Sequence, residues 1–133
     1  MEIAAREAFL GSGGNAGDLL VVDAPGAFEL VAISTALAAR PDIDAVVALG
    51  CVIKGETSHD QWINGAISNG LAMISVRTGK PVAFGVITCE SIEQAKARAG
   101  GAKGNKGEEA MTAAVSAARI IAQIEADTGA VKR

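Results

Sequence analysis

Apolar and polar positions in this chain switch between a helical period and short continuous runs. In residues 1–10 (MEIAAREAFL), Ala4, Ala5, Ala8 and Phe9 recur at helical spacing and predict a short helix. GSGGNAG at 11–17 is a loop by composition. Leu19 to Val22 is a short apolar run ending at Asp23, a buried-strand pattern that Ala24, Pro25 and Gly26 break. Phe28 to Ala39 predicts a helix, with Leu30, Ile33, Ala36 and Leu37 on one stripe and Pro41 closing it. Ala45 to Ile53 (AVVALGCVI) is too continuous for a half-exposed strand and predicts one buried on both faces, as in a parallel sheet. Lys54 to Ser58 is a polar loop. Residues 59–76 predict a longer helix with Ile63, Ala66, Ile67, Gly70, Leu71 and Ile74 inward, ended at Thr78 to Pro81. Val82 to Thr88 repeats the buried-strand pattern. Ser91 then caps a short helix with Glu93 and Gln94 in its first turn. Ala99 to Gly107 is a glycine-rich loop, residues 108–127 an alanine-rich helix, and 128–133 a polar tail.

Strand and helix alternate, so the class is α/β with a parallel sheet and right-handed crossovers. A length of 133 residues predicts one domain. Three strands, however, do not easily support helices on both faces. Either a strand is missing at the N-terminus, or another chain supplies one.

Composition changes this picture in two ways. Apolar residues make up 50% of the chain, but 27 residues are alanine and only Phe9, Phe28, Trp62 and Phe84 are aromatic. The expected core is thin and close-packed, with flat faces that a partner subunit can cover. The net charge of −3 argues against nucleic acid or an anionic membrane as partner. No apolar run approaches the roughly 20 residues of a membrane span, and no export signal is visible. Cys51 and Cys89 end apolar runs and read as buried free thiols, which fits a cytoplasmic protein. One histidine and no Cys/His spacing give no metal site.

In open α/β sheets ligands bind beyond the carboxyl ends of the strands. Here those segments are Ala24 to Glu29, Lys54 to Asp60, and Thr88 to Ser91. GETSHDQ at 55–61 follows a buried strand and opens a helix. Backbone N–H groups at Glu56, Thr57 and Ser58 would face outward there, where an anion is favoured. The sole histidine, His59, lies in the same turn beside Asp60 and can pass protons near neutral pH. The alternative is an ordinary N-cap at Thr57 or Ser58 with an exposed surface histidine. Phe28 and Glu29 stand at a second strand end. Glu29 either accepts from polyol hydroxyls or merely suits the dipole of a helix first turn. Phe84, in mid-strand, reads as core, and Arg98 and GNKG (104–107) read as a solvated helix end and turn. The glycine loop matches neither the P-loop nor the dinucleotide fingerprint.

Together PGAFEL (25–30), DIDAVVALGCVIKGETSHDQ (42–61), GKPVAFGVITCESIEQAKARAGG (79–101) and GNKGEEA (104–110) resemble the 6,7-dimethyl-8-ribityllumazine synthase family, from about Asp18 onward. The resemblance implies a three-layer sandwich with a parallel, flavodoxin-like sheet. It implies condensation of 5-amino-6-(ribitylamino)uracil with 3,4-dihydroxy-2-butanone 4-phosphate, the penultimate step of riboflavin synthesis, with no metal or organic cofactor. By the same resemblance, Ala27, Phe28 and Glu29 line the ribityl side, and Cys51, Val52 and Ile53 lie along the pyrimidine. Glu56, Thr57 and Arg98 hold the phosphate, and His59 is the general acid/base. Phe84 and Lys106 approach from a neighbouring subunit.

The sequence departs from this family at its start, where the usual first strand and its Phe-Asn loop are absent. In the family that strand sits mid-sheet. A smaller departure is Val31, where proline is common. The resemblance also implies a pentamer, with the short loop at 99–107 matching members that close into a 60-subunit shell, and riboflavin synthase as a partner. Competing expectations are a shell or scaffold protein impaired in turnover, and a flavin- or pterin-binding module.

Overall fold

The computed structural model describes residues 1–130, with side chains through 127. Helix α1 (Glu2–Gly11) and a 3-10 turn (Ala16–Asp18) open the chain, followed by α2 (Leu30–Ala38). Strand β1 (Val46–Ile53) leads through α3 (His59–Thr78) to β2 (Val82–Cys89). Then come α4 (Ile92–Arg98), a small hairpin β3 (Ala99–Gly101) and β4 (Gly104–Asn105), and α5 (Lys106–Ala130). Of the expected polar tail, 128–130 continue α5 and 131–133 lie outside the described residues.

β1 and β2 pair in parallel without a bulge, from Val46 opposite Val82 to Ile53 opposite Cys89. Alternate positions face opposite layers. A Cβ on Gly50 would lie 3.1 Å from Leu30 Cδ1 of α2, whereas a Cβ on Gly85 would lie 3.0 Å from Ala110 Cβ of α5. Helices therefore cover both faces, as the alternating pattern predicts. On the α2 and α3 side the core joins Leu30, Ala38, Val46, Ala48, Ile67, Leu71, Ile74 and Val86. Ile67 and Leu71 are the largest fully buried side chains, and truncating either to alanine costs about 2–5 kcal/mol. On the other face Ala5, Ala110 and Ala114 are buried, so α1 and α5 approach closely through alanine.

Element ends follow the local chemistry. Gly79 takes the left-handed conformation (φ 70°) after α3, and its N–H donates to the Ser75 carbonyl at 2.9 Å. Ser91 Oγ accepts from the Gln94 N–H at 3.2 Å, while Gln94 Oε1 accepts from the Glu90 N–H at 2.9 Å. Lys80 Nζ donates to the carbonyls of Ala38 (2.9 Å) and Arg40 (2.6 Å), tying the approach to β2 to the end of α2. Arg40 also grips Asp42 through two nitrogens at 2.9 and 2.6 Å. That hydrogen-bonded pair holds the Asp42 carboxyl below its ordinary range.

Three expectations change. Leu19 to Val22 does not form a strand. A strand exists by pairing, and this segment has no pairing partner among the described residues, leaving Leu20, Val21 and Val22 between 45% and 49% exposed. The glycine-rich stretch at 99–107 is a hairpin rather than an open loop, because Gly100 (φ 120°) and Gly104 (φ 88°) supply the left-handed turns. Cys51 and Cys89 are free, as expected, but Cys51 is exposed and Cys89 half-buried. Cys51 points to the face of β1 opposite Val52, which packs against the α2–α3 core.

The α2–α3 contact turns on Gly70, where a Cβ would lie 2.7 Å from Val31 Cγ1. Alanine improves helix propensity by about 1 kcal/mol, but overpacking costs about 1–3 kcal/mol. We expect Gly70→Ala to lose about 1–2 kcal/mol in urea unfolding, and Gly70→Ala with Val31→Ala to recover most of the overpacking loss. Additive losses in the two variants would contradict this packing.

Candidate active site

The in-register pairing brings the carboxyl ends of β1 and β2 level, so the loops that follow them lie side by side. The Lys54 N–H donates to the Cys89 carbonyl at 2.8 Å, and Lys54 Nζ lies 3.8 Å from Glu90 Oε1. This bridge between the two loops was not singled out in the sequence. A lysine and a glutamate just past two predicted strand ends were its only signal.

Beyond Lys54 the chain turns through Gly55, Glu56, Thr57 and Ser58 into α3, and every residue from Lys54 to His59 is exposed. Ser58 occupies the N-cap position but its hydroxyl caps nothing. Thr57 Oγ1 instead accepts from the His59 N–H at 3.4 Å. Among the described residues, the amides of Glu56, Thr57 and Ser58 have no protein acceptor. Orphan amides at the positive end of a 20-residue helix form an anion-ready surface, and His59 is the helix's first residue. The Thr57 bond is a long cap of the kind that the ordinary N-cap alternative expects, and His59 is exposed as that alternative also expects.

The second predicted segment reaches the same end of the sheet. Ala27 is half-buried and its carbonyl accepts the Leu30 N–H at 3.2 Å. Phe28 is 57% exposed, and Glu29 stands at the N-cap of α2. The Glu29 carboxylate folds back over Gly26, where a Cβ would lie 2.8 Å from Oε2. Gly26 is thus a site-shaping residue. Its signal in the sequence was only a turn-breaking glycine. Leu30 packs against β1 at Gly50, which places this turn beside Cys51, and Ala27 and Cys51 line one continuous cleft. Val52 packs toward the core, whereas Ile53 is 40% exposed.

Three predicted residues stand apart. Phe84 is mid-β2 opposite Ala48, well before the strand end, and 38% exposed. Its exposure runs against a plain core reading. Arg98 is exposed at the end of α4, and no hydrogen bond or ion pair joins it to the Gly55–His59 turn. Lys106 opens α5 and its Nζ lies 3.3 Å from Glu109 Oε2. Within one chain Ala27 and Cys51 line one cleft, the 56–59 turn follows β1 at the same strand end, and no hydrogen bond or ion pair brings Arg98 or Lys106 to that turn.

Burial pushes the Cys51 thiol up, and the adjoining Cys89 raises it further. The folded chain keeps this proton to higher pH than the unfolded chain does. Its contribution to stability is therefore complete below the ordinary thiol range and falls as pH rises through it. Iodoacetamide is expected to modify Cys51 more slowly than free cysteine at pH 8. Cys89→Ala should speed the reaction, and mass spectrometry of the time course measures both. Equal rates for Cys51 and free cysteine would contradict this.

No helix among the described residues is long and apolar enough to cross a membrane. The family model described as 6,7-dimethyl-8-ribityllumazine synthase matches residues 1–122. Two proteins named 6,7-dimethyl-8-ribityllumazine synthase, from two strains of Thermus thermophilus, are each 46% identical over 120 residues, covering 90% of this chain and 76% of the relative. With helices on both faces of a parallel sheet and this match along nearly its whole length, the chain belongs to the 6,7-dimethyl-8-ribityllumazine synthase family.

Proposed function

We propose that this chain condenses 5-amino-6-(ribitylamino)uracil with 3,4-dihydroxy-2-butanone 4-phosphate to give 6,7-dimethyl-8-ribityllumazine, phosphate and water, in riboflavin biosynthesis. The observation that carries the reading is the exposed start of α3, with unpaired amides at 56–58 and the only histidine beside them. The names of its relatives support the same reaction. No metal or organic cofactor enters the proposal.

The residue types suit the chemistry. Joining an amine to a ketone requires a proton delivered and a proton removed near neutral pH, a task for His59. Eliminating phosphate requires the leaving anion to be held. The amides at Glu56 and Thr57 do this by direction, and Arg98 adds a guanidinium that matches phosphate geometry. Ala27, Phe28 and Glu29 receive the ribityl chain, with the Glu29 carboxylate accepting from hydroxyls. Cys51, Val52 and Ile53 border the pyrimidine with main-chain groups. Holding two reactants side by side supplies much of the acceleration.

Phe84 and Lys106 complete the site from a neighbouring subunit in this reading, so assembly is a condition of activity. Support comes from the apolar side chains exposed on one chain: Trp62 is 78% exposed, Val76 76% and Ile120 55%. Such surface is normally covered by a partner. We propose a homopentamer of one domain per chain in the cytoplasm. The tight hairpin at 99–105 favours further closure into a 60-subunit shell, with riboflavin synthase as a possible guest.

Mixing the two substrates with the purified chain should produce lumazine absorbance and fluorescence, and no product would overturn the reading. His59→Ala is expected to lower kcat by about 100-fold or less, the low end of general acid–base effects, because orientation remains. Arg98→Ala should raise KM for the butanone phosphate by about 10- to 100-fold with a small change in kcat. An unchanged KM would remove Arg98 from the phosphate site. A monomer by light scattering would remove the shared site.

A further inference from the structure

The parallel ladder brings together two side chains that lie far apart in the sequence. Cys51 stands opposite Ile87, and Ile53 stands opposite Cys89. Partners on a parallel ladder point to the same side, and so do positions two apart on one strand. Cys51, Ile53, Ile87 and Cys89 therefore form a square on one face, with the two thiols at diagonal corners. The Cys89 sulfur leans toward β1, since its Sγ lies 4.0 Å from the carbonyl oxygen of Val52, the residue after Cys51. Neither cysteine is in a disulfide. Burial first, and then the adjoining Cys89 thiol, push the Cys51 thiol up, as expected for two sulfurs that share one environment.

The spacing selects what this pair can do. Neighbouring strands lie about 4.8 Å apart and two residues along a strand add about 6.6 Å, so the diagonal of such a square separates Cα atoms by about 8 Å. A disulfide needs Cα atoms within about 7 Å, and closing one here would require the backbone to move. A single ion held between the sulfurs relaxes that demand. With metal–sulfur bonds of about 2.3 Å, a two-coordinate ion keeps its two sulfurs about 4.6 Å apart. Zinc does not suit the pair, because it takes four ligands in a structural site, and among the described residues no group of three or more His, Cys, Asp or Glu side chains could hold a metal. Soft thiolates select copper(I), which two sulfurs in line can satisfy. Ile87, buried at the corner facing Cys51, keeps one side of the square apolar and favours a soft ion over a hydrated hard one.

We propose that Cys51 and Cys89 together form a binding site for a soft, two-coordinate monovalent cation of the copper(I) class, held between the two sulfurs across β1 and β2. Each thiol releases its proton to solvent and gives a sulfur lone pair to the ion, and no electron is transferred. No local motif marks such a site, because its ligands come from different strands and only the parallel register makes them neighbours. The inference is independent of the proposed catalysis. It asks nothing of the amides at 56–58 or of His59, and in the proposed reaction Cys51 offers main-chain groups, which leaves its sulfur for this use.

The probe is copper(I) itself, supplied as its acetonitrile complex to the reduced 133-residue chain in the absence of oxygen, in competition with the coloured chelator bathocuproine disulfonate. The chain should withdraw one equivalent of copper(I) from the chelator. Cys51→Ser and Cys89→Ser should each weaken retention by at least about 100-fold, because losing either sulfur turns a chelate into a single contact. A second readout uses the unaltered chain. Bound copper(I) should slow the reaction of both cysteines with iodoacetamide relative to the metal-free chain, measured peptide by peptide in mass spectrometry. No withdrawal of copper(I) would overturn the proposal, as would half an equivalent per chain, the mark of an ion bridging two chains. So would a single serine variant that retains copper(I) as well as the unaltered chain, or protection confined to one cysteine. The protection measurement needs no substitution, so it decides the matter even where a serine variant fails to fold.

Discussion

The structure depends on one constraint, the unbroken parallel register between Val46–Ile53 and Val82–Cys89. A parallel pair demands a long crossover, which the 20 residues of α3 provide. It also brings two strand ends to the same rim with no connecting turn between them. The loop at 54–58 and the turn at 90–91 are therefore free to carry chemistry, and the Lys54 and Glu90 side chains hold them together. Slipping the register by one residue would exchange the Leu30-facing and Ala110-facing sides of a strand. The position of His59 relative to Cys51 follows from this pairing rather than from any contact between the two residues.

Small residues set the spacing of the layers around that pair. Gly50 admits Leu30, Gly70 admits Val31, and Gly85 admits Leu49 and Ala110. Each removes a Cβ where two elements meet, so the helices ride close to the sheet and the core stays thin. A thin core leaves little room to bury every large side chain. Trp62, Val76 and Ile120 lie exposed on the outer surfaces of α3 and α5. Valine at position 31 is consistent with the family fold, because its two methyl groups lie in the space that Gly70 leaves.

The candidate site shows how backbone direction and side-chain chemistry divide the work. The amides of 56–58 are available because the Ser58 hydroxyl leaves the helix start uncapped and Thr57 serves the His59 N–H instead. Fixed donors at a helix start need no reorganisation when an anion arrives. On the opposite side, Gly26 lets the exposed Glu29 carboxylate lie back over its own turn. Phe84, Arg98 and Lys106 make no hydrogen bond or ion pair with either side within the chain.

Much of this was legible in the residues themselves. The continuous apolar runs at 45–53 and 82–88 read as strands buried on both faces; both are strands, buried at Val46, Ala48, Val86 and Ile87 but exposed at Cys51, Ile53 and Phe84, and the stripe from Ile63 to Ile74 is the helix crossing between them. Gly79 and Ser91 marked element ends through backbone conformation and capping, which act within a few residues. The GETSHDQ turn could be placed at a strand end for the same reason. Pairing and coverage are not local, and there only the tertiary structure decided. Leu19 to Val22 carries a strand's composition yet remains unpaired, since ladder hydrogen bonds come from a neighbour and not from the segment. Cys51 belongs to an apolar run yet is exposed, because burial depends on what packs over its face of the strand. Lys80 reaches the Ala38 and Arg40 carbonyls across some 40 positions of chain, a contact that no local pattern records.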